Sequence, residues 1–404
     1  MNIFYKIYCR IYQFIFRLLM PLLPFREPKV LDNNEELAVT LKNSGIKKVM
    51  IVASGSVLKY NSRYMDNLEC ELGNKSIKYE IFDQVRGEPD TDVCELGREF
   101  YLKHDCQAII AIGGGSQLDC AKVIGALVKY PKKNVRQLKG TLKVLKKLPL
   151  LIAIPTTAGT GSEATVAAVI KDKDTHQKYT LNNFTMIPKY AILNTELTYS
   201  VPQKLTYTTG MDALTHAVEA YIGQSTTKRT RKLAMEACNL ILKNIENACS
   251  NAHNYNAKKN MLEASYMAGC AFTRSYVGYI HAIAHTLGGK YDILHGEANS
   301  VIMPIVLREY GDSVSKKLNE LAIYSGLVDK NEMKEIGALR FIEKIEELNE
   351  KMEMPKFYFS EDCQDEVFDE LIKNAMKEAN PLYPVPKLWG KEEFIKIYRK
   401  LKKC

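Results

Sequence analysis

Hydrophobic residues change their rhythm along this 404-residue chain, and each rhythm predicts a different kind of element. Phe4, Ile7, Ile11, Phe14, Ile15, Leu18 and Leu22 recur at helical spacing, while Lys6, Arg10, Gln13 and Arg17 take the other face. Pro21, Pro24 and Pro28 then stop the helix. Its charges interrupt the apolar run too early for a membrane span, and no small-residue cleavage site follows. The expectation is a helix packed on the protein's own surface; a basic amphipathic helix touching a membrane surface is the alternative.

Beyond it, short apolar runs alternate with helical stretches. Residues 48–53 (KVMIVA), 78–82, 108–112 (AIIAI), 150–154 (LLIAI) and 191–193 read as buried strands, with helices over 62–73 and 92–103. Such alternation predicts a parallel sheet covered by helices. From about Pro202 the strands cease, and 211–222, 230–248 and 258–273 are all helical. The division expected is an extension over 1–28, an α/β domain over 29–200 and an all-α domain over 201–404. The cleft between the two halves is the natural ligand site.

Composition adds exclusions. Hydrophobic content of 46% and charged content of 25% are those of an ordinary globular protein. The net charge of +9 comes without a nucleic-acid module, so no nucleic-acid partner is expected. Ten cysteines, with no Cys-x-x-Cys pair and no secretory signal, read as reduced thiols of a cytoplasmic protein.

The candidate chemistry lies in three places. Gly113, Gly114 and Gly115 follow a strand, and Ser116 with Asp119 reads as a helix N-cap, a turn able to receive a phosphate. Neither the Gly-x-Gly-x-x-Gly fingerprint nor a P-loop is present. Pro155-Thr156-Thr157-Ala158-Gly159-Thr160-Gly161-Ser162-Glu163 is a second loop of small hydroxyl residues and glycines. Four of the seven histidines then gather as Asp212-x-x-x-His216, with Glu219 after it, and His281-x-x-x-His285, with His295 beyond. Asp and His at i,i+4 point from one helix face, which is how helices build a divalent metal site.

Taken in order, GGGSQLDCAK, IPTTAGTGSE, GMDALTHAVEAY and GYIHAIAHTLGGKYDILHGEAN resemble the iron-containing (group III) alcohol dehydrogenase family, from about residue 30 to about 310. The resemblance implies a Rossmann-like α/β domain followed by a helical domain, the dehydroquinate synthase-like fold, and reversible alcohol oxidation by NAD(P). It places the metal ligands on Asp212, His216, His281 and His295, suited to Fe2+ or alternatively Zn2+. His285 matches a cleft histidine near substrate and nicotinamide, suited to relaying a proton. Gly113, Gly114, Gly115, Ser116 and Asp119 would surround the pyrophosphate, Thr156, Thr157 and Thr165 would line the nucleotide cleft, and Lys178 would approach the ribose. Phe272, Tyr276, Tyr279 and Tyr291 are candidates for the substrate pocket.

In that scheme the cation stabilises an alkoxide, the nicotinamide accepts hydride, and no protein nucleophile is needed. Two departures bear on the cofactor. Where many NAD-using members carry Asp after the first strand, this chain has Ser54, which does not repel a 2′-phosphate; NADP is therefore expected over NAD, with Lys59 and Arg63 near in sequence. Glu88 stands where asparagine is usual, and it receives no binding role. The expected substrate is a small primary alcohol or aldehyde, as for a butanol dehydrogenase, and a homodimer is the family expectation. The alternatives are a glycerol dehydrogenase or dehydroquinate synthase on the same fold, or a non-catalytic metal- and nucleotide-binding scaffold.

Overall fold

The computed structural model describes residues 1–175 and 177–403. It divides into two compact units, one of Pro24–Pro202 with Asn251–Gly269, the other of Met1–Leu23, Gln203–Ser250 and Cys270–Cys404.

Among the described residues of the first unit, nine strands form two sheets: β1 (Lys29–Val30), β2 (Lys48–Ala53), β3 (Lys78–Phe82), β4 (Ala108–Gly113), β5 (Gly140–Thr141), β6 (Leu150–Pro155), β7 (Ala167–Lys171), β8 (Lys178–Asn182) and β9 (Tyr190–Ala191). Six make one parallel sheet in the order β1-β9-β6-β4-β2-β3. Its central strands are unbroken apolar runs because both faces are covered. Period-two alternation sends Met50, Val52, Ile109 and Ala111 into one core, and Val49, Ile51, Ala108, Ile110 and Ile112 into the other. Burying one such side chain stabilises by about 1.5–3 kcal/mol, so these two cores dominate the unit's cohesion.

The order matters for ligand placement. From β2 the chain steps outward to β3, then crosses back to β4 and β6 on the other side. That reversal opens a crevice at the carboxyl ends of β2 and β4, where open α/β sheets bind ligands. The remaining strands form a small sheet, β5-β8-β7, in which β7 and β8 are an antiparallel pair. The sequence reading has no counterpart for this pair, since its apolar run is only a few residues long.

The second unit is helical. The helix Gln203–Ile222 starts two turns before the predicted Met211, just after Pro202, and is buried along most of its length. Helix α1 (Ile3–Leu19) begins on Asn2, whose side chain accepts from the Tyr5 amide at 2.8 Å. It packs on its unit through the face opposite to its apolar stripe. Cys9, Gln13 and Met20 are buried, and Gln13 Nε2 donates to the carbonyls of Pro381 at 3.1 Å and Tyr383 at 2.8 Å. Arg10 donates to the carbonyls of Val385 at 2.8 Å and Pro386 at 3.0 Å. The predicted apolar stripe, from Phe4 to Leu22, faces outward instead. Among the described residues no helix is long and apolar enough to cross a membrane. Among the described residues no disulfide joins two cysteines.

Candidate metal centre and nucleotide loops

Asp212 and His216 lie one turn apart on the helix Gln203–Ile222, His281 and His285 one turn apart on Tyr279–Tyr291, and His295 opens the helix His295–Tyr310. Three of these side chains converge with the aspartate. The ligand atoms of Asp212, His216, His281 and His295 all fall within 4.8 Å of one another. Asp212 Oδ1 stands 3.9 Å from His216 Nε2, 3.6 Å from His281 Nε2 and 3.2 Å from His295 Nε2. His281 Nε2 is buried and has no hydrogen-bond partner among the described residues, which is costly unless a cation binds there. One carboxylate and three imidazoles, three of the four residues buried, fit a divalent transition metal.

Electrostatics agree. Burial would raise the Asp212 carboxyl, but His216 and His295 outweigh it and hold it well below the usual range. A carboxylate that stays charged in a buried site calls for a cation. Burial would lower the His281 imidazole, yet Asp212 and Glu219 push it up to about 9, so a cation binding at Nε2 must displace a proton from this ring.

Glu219 sets the orientation of His281. Its carboxylate accepts from His281 Nδ1 at 2.6 Å, from the Gly278 amide at 2.7 Å and from the Ile280 amide at 2.8 Å. With Nδ1 as donor, Nε2 is left as the ligand atom. Gly278 has no alternative here, since a Cβ would lie 2.6 Å from Glu219 Oε1. Replacing Glu219 by Gln should therefore weaken metal affinity by about 10–100-fold while leaving all four ligands in place. Competition against a chelator measures this, and unchanged affinity would remove the role given to Glu219.

Asn299, one turn beyond His295, donates to Asp212 Oδ1 at 2.8 Å and lies 3.1 Å from His295 Nε2. Phe272 stacks on His216 with centroids 4.0 Å apart, and His216 stacks on His281 at 4.6 Å. The opposite side is open: the side chains of His285 and His295 are each 40% exposed and stack at 5.1 Å. His285 Nδ1 is 2.6 Å from Glu378 Oε1, which also accepts from Tyr383 OH at 2.8 Å. Sequence reading assigned nothing to Asn299 or Glu378. The i,i+4 spacing from His295 was a usable signal for Asn299; Glu378, far along the chain, offered none. Of the four aromatic candidates, Phe272 adjoins the cluster. Tyr279 is core, packed on Trp389 and Phe394, and Tyr291 packs on Phe359.

In the other unit, strand register assembles the nucleotide candidates. Ala53 pairs with Ile112 and Gly113 with Pro155, so Ser54, the glycine turn and Thr156 follow three adjacent strands at one sheet end. Thr157 Oγ1 lies 3.5 Å from where a Gly114 Cβ would stand. The helix after the turn starts at Gly115, capped from Gly114, not at Ser116 with Asp119. Gln117 Oε1 accepts from the Gly114 amide at 3.1 Å. Asp119 is spent inside the unit: it accepts from Ser162 Oγ at 2.5 Å and the Val169 amide at 2.9 Å. Thr165 is also buried, with its hydroxyl accepting from Lys122 Nζ at 2.9 Å. Lys178, on β8, is ion-paired with Glu88. Asp119, Thr165 and Lys178 thus have protein partners where cofactor contacts were expected, and the unusual Glu88 is accounted for by Lys178. Ser54 Oγ accepts from the Val57 amide at 3.3 Å and lies 2.8 Å from Ser56 Oγ.

Comparison with known proteins bears on this arrangement. The family signature "Iron-containing alcohol dehydrogenase" matches residues 31–195, and "Fe-containing alcohol dehydrogenase family, C-terminal" matches 206–402. 1,3-Propanediol dehydrogenase of Citrobacter freundii is 32% identical over 88% of this chain and 91% of its own. Aldehyde-alcohol dehydrogenase of Streptococcus pneumoniae is 35% identical over 67% of this chain, which spans only 32% of that protein's length. Among solved structures, a 1,3-propanediol oxidoreductase superposes with a TM-score of 0.86 at 30% identity, covering 93% of this chain and 98% of the other.

Proposed function

Because the chain belongs to the iron-containing alcohol dehydrogenase family, we propose that it interconverts a small primary alcohol and its aldehyde with NADP(H), using ferrous iron held by Asp212, His216, His281 and His295. The observation that carries this is the convergence of those four side chains beside an open mouth bearing His285. A divalent cation there supplies Lewis acidity toward the substrate oxygen. Zinc is the alternative occupant, since the donor set suits both.

The chain's own residues supply the rest. Glu219 and Asn299 hold His281 and Asp212 in register, so that part of the donor set is formed before substrate arrives. His285, half in solvent, accepts the hydroxyl proton in oxidation and returns it in reduction, with Glu378 stabilising the charged imidazole. Glu378 suits this task. Burial would raise its carboxyl, but His285 and Tyr383 hold it below the usual range, so it stays an anion. The overall balance is alcohol plus NADP+ giving aldehyde, NADPH and a proton.

The lean toward NADP rests on Ser54. No carboxylate occupies that position after β2, and the hydroxyl can donate to a 2′-phosphate. With butanal and other C3–C6 aldehydes, kcat/KM for NADPH should exceed that for NADH by about tenfold or more, a difference of ~1.4 kcal/mol. An NADH preference of the same size would overturn the cofactor assignment, and no turnover by metal-loaded protein with either cofactor would overturn the enzymatic one.

A further inference from the structure

We propose that the outward face of α1 is a docking surface for an anionic phospholipid bilayer. The helix is held to its unit by one face only: Cys9, Gln13 and Met20 are buried, and Phe16 meets Tyr276 edge-on at 5.2 Å. At about 100° per residue, the opposite face carries Phe4, Ile7, Ile11, Phe14, Leu18 and Leu22. These side chains are 50–80% exposed. A stripe of that length is far more apolar surface than scattered exposed residues would leave, and it marks an interaction site.

Its chemistry selects the occupant. Residues 1–23 contain three cations, Lys6, Arg10 and Arg17, and no carboxylate. Lys6, Arg10 and Arg17 fall together along one flank of the stripe, and Tyr8 and Tyr12 along the other. Among the described residues Arg10 is hydrogen-bonded to neutral groups, Gln13 and two carbonyls, so its charge is not cancelled there. A groove of about 640 Å³ beside the helix joins both characters, with Ile7, Ile11 and Phe14 on its wall and Lys6, Arg10 and Lys387 around them. An apolar face flanked by cations and tyrosines matches the acyl boundary, the anionic headgroups and the interfacial layer of a bilayer in one surface. A second copy of the chain is a poorer complement. An antiparallel isologous contact sets the cationic flank against itself, and residues 1–23 offer no acid to answer it. Since α1 is not apolar enough to span, it would lie in the plane of the membrane.

The test is co-sedimentation of the full chain with vesicles of phosphatidylcholine alone, or with about one third phosphatidylglycerol. Binding to the mixed vesicles should exceed binding to neutral ones by about tenfold or more, and should fall as salt is raised. The double variant Ile11→Glu, Phe14→Glu should bind the mixed vesicles about 100-fold more weakly, with thermal melting unchanged. A second variant, Lys6→Glu with Arg17→Glu, keeps the apolar stripe and should lose the preference for anionic vesicles. Equal sedimentation with neutral and anionic vesicles, or none with either, would overturn the proposal. So would self-association in solution that Ile11→Glu, Phe14→Glu abolishes in a chain that ignores vesicles, because the occupant would then be a second copy.

Discussion

His281→Ala should leave a folded protein that neither retains the metal nor turns over alcohol, with kcat/KM reduced by at least about 10³-fold. The magnitude follows from what is removed. A divalent cation changes the acidity of an oxygen it binds by an amount worth up to ~12 kcal/mol. Realising only a third of that, about 4 kcal/mol, corresponds to the stated loss. His281 is the telling choice because its Nε2 is buried without a hydrogen-bond partner, so it makes no structural bond through that atom. Removal does strip Glu219 of its Nδ1 donor, at a cost of about 1–3 kcal/mol in stability, so a melting curve must accompany the assay. His281→Gln, which fills most of the volume and keeps a donor toward Glu219, separates the two effects: it should melt like the parent and still lack metal. Full activity in a folded, metal-free variant would refute the account.

His285→Ala should behave differently. Its metal content should equal that of the parent, while kcat falls by about 10²-fold, the usual worth of a positioned acid–base group. His285 is not one of the four converging residues, and its side chain is 40% exposed, so neither ligation nor folding depends on it. Glu378→Gln should cost less, about tenfold, since the glutamine can still accept from Nδ1 but carries no charge to stabilise the imidazolium. The readout that separates proton transfer from a packing role is rescue: added imidazole should restore part of the turnover of His285→Ala and none of that of His281→Ala. An His285→Ala enzyme with undiminished kcat, or one that has lost its metal, would contradict the assignment.

How much of this was legible beforehand depends on whether local pattern or distant contact decides. The central strands were, because β2, β4 and β6 are buried on both sides and show as continuous apolar runs. The ligand quartet was too, since i,i+4 spacing brings Asp212 and His216 to one helix face whatever surrounds them. Glu219 lies on that face as well, but its service to His281 needs the other helix to be placed first. Asp119 and Thr165 have internal partners, Ser162 and Lys122, that a polar residue read beside a glycine loop does not disclose. Glu378 was invisible, since nothing near it in sequence refers to His285. Periodicity showed that α1 has an apolar face but not which face the body would take. Gln13 and Arg10 decided that by reaching carbonyls at Pro381, Tyr383, Val385 and Pro386, and local pattern carries no trace of those partners.

The most direct measurement is anomalous diffraction at the iron edge from anaerobically grown, iron-loaded crystals of the full chain. A single strong peak is predicted among Asp212, His216, His281 and His295, within about 2.0–2.2 Å of one oxygen and three nitrogens. Absence of any peak there in crystals of protein that oxidises alcohols, or the ion bound at some other group of side chains, would contradict the account.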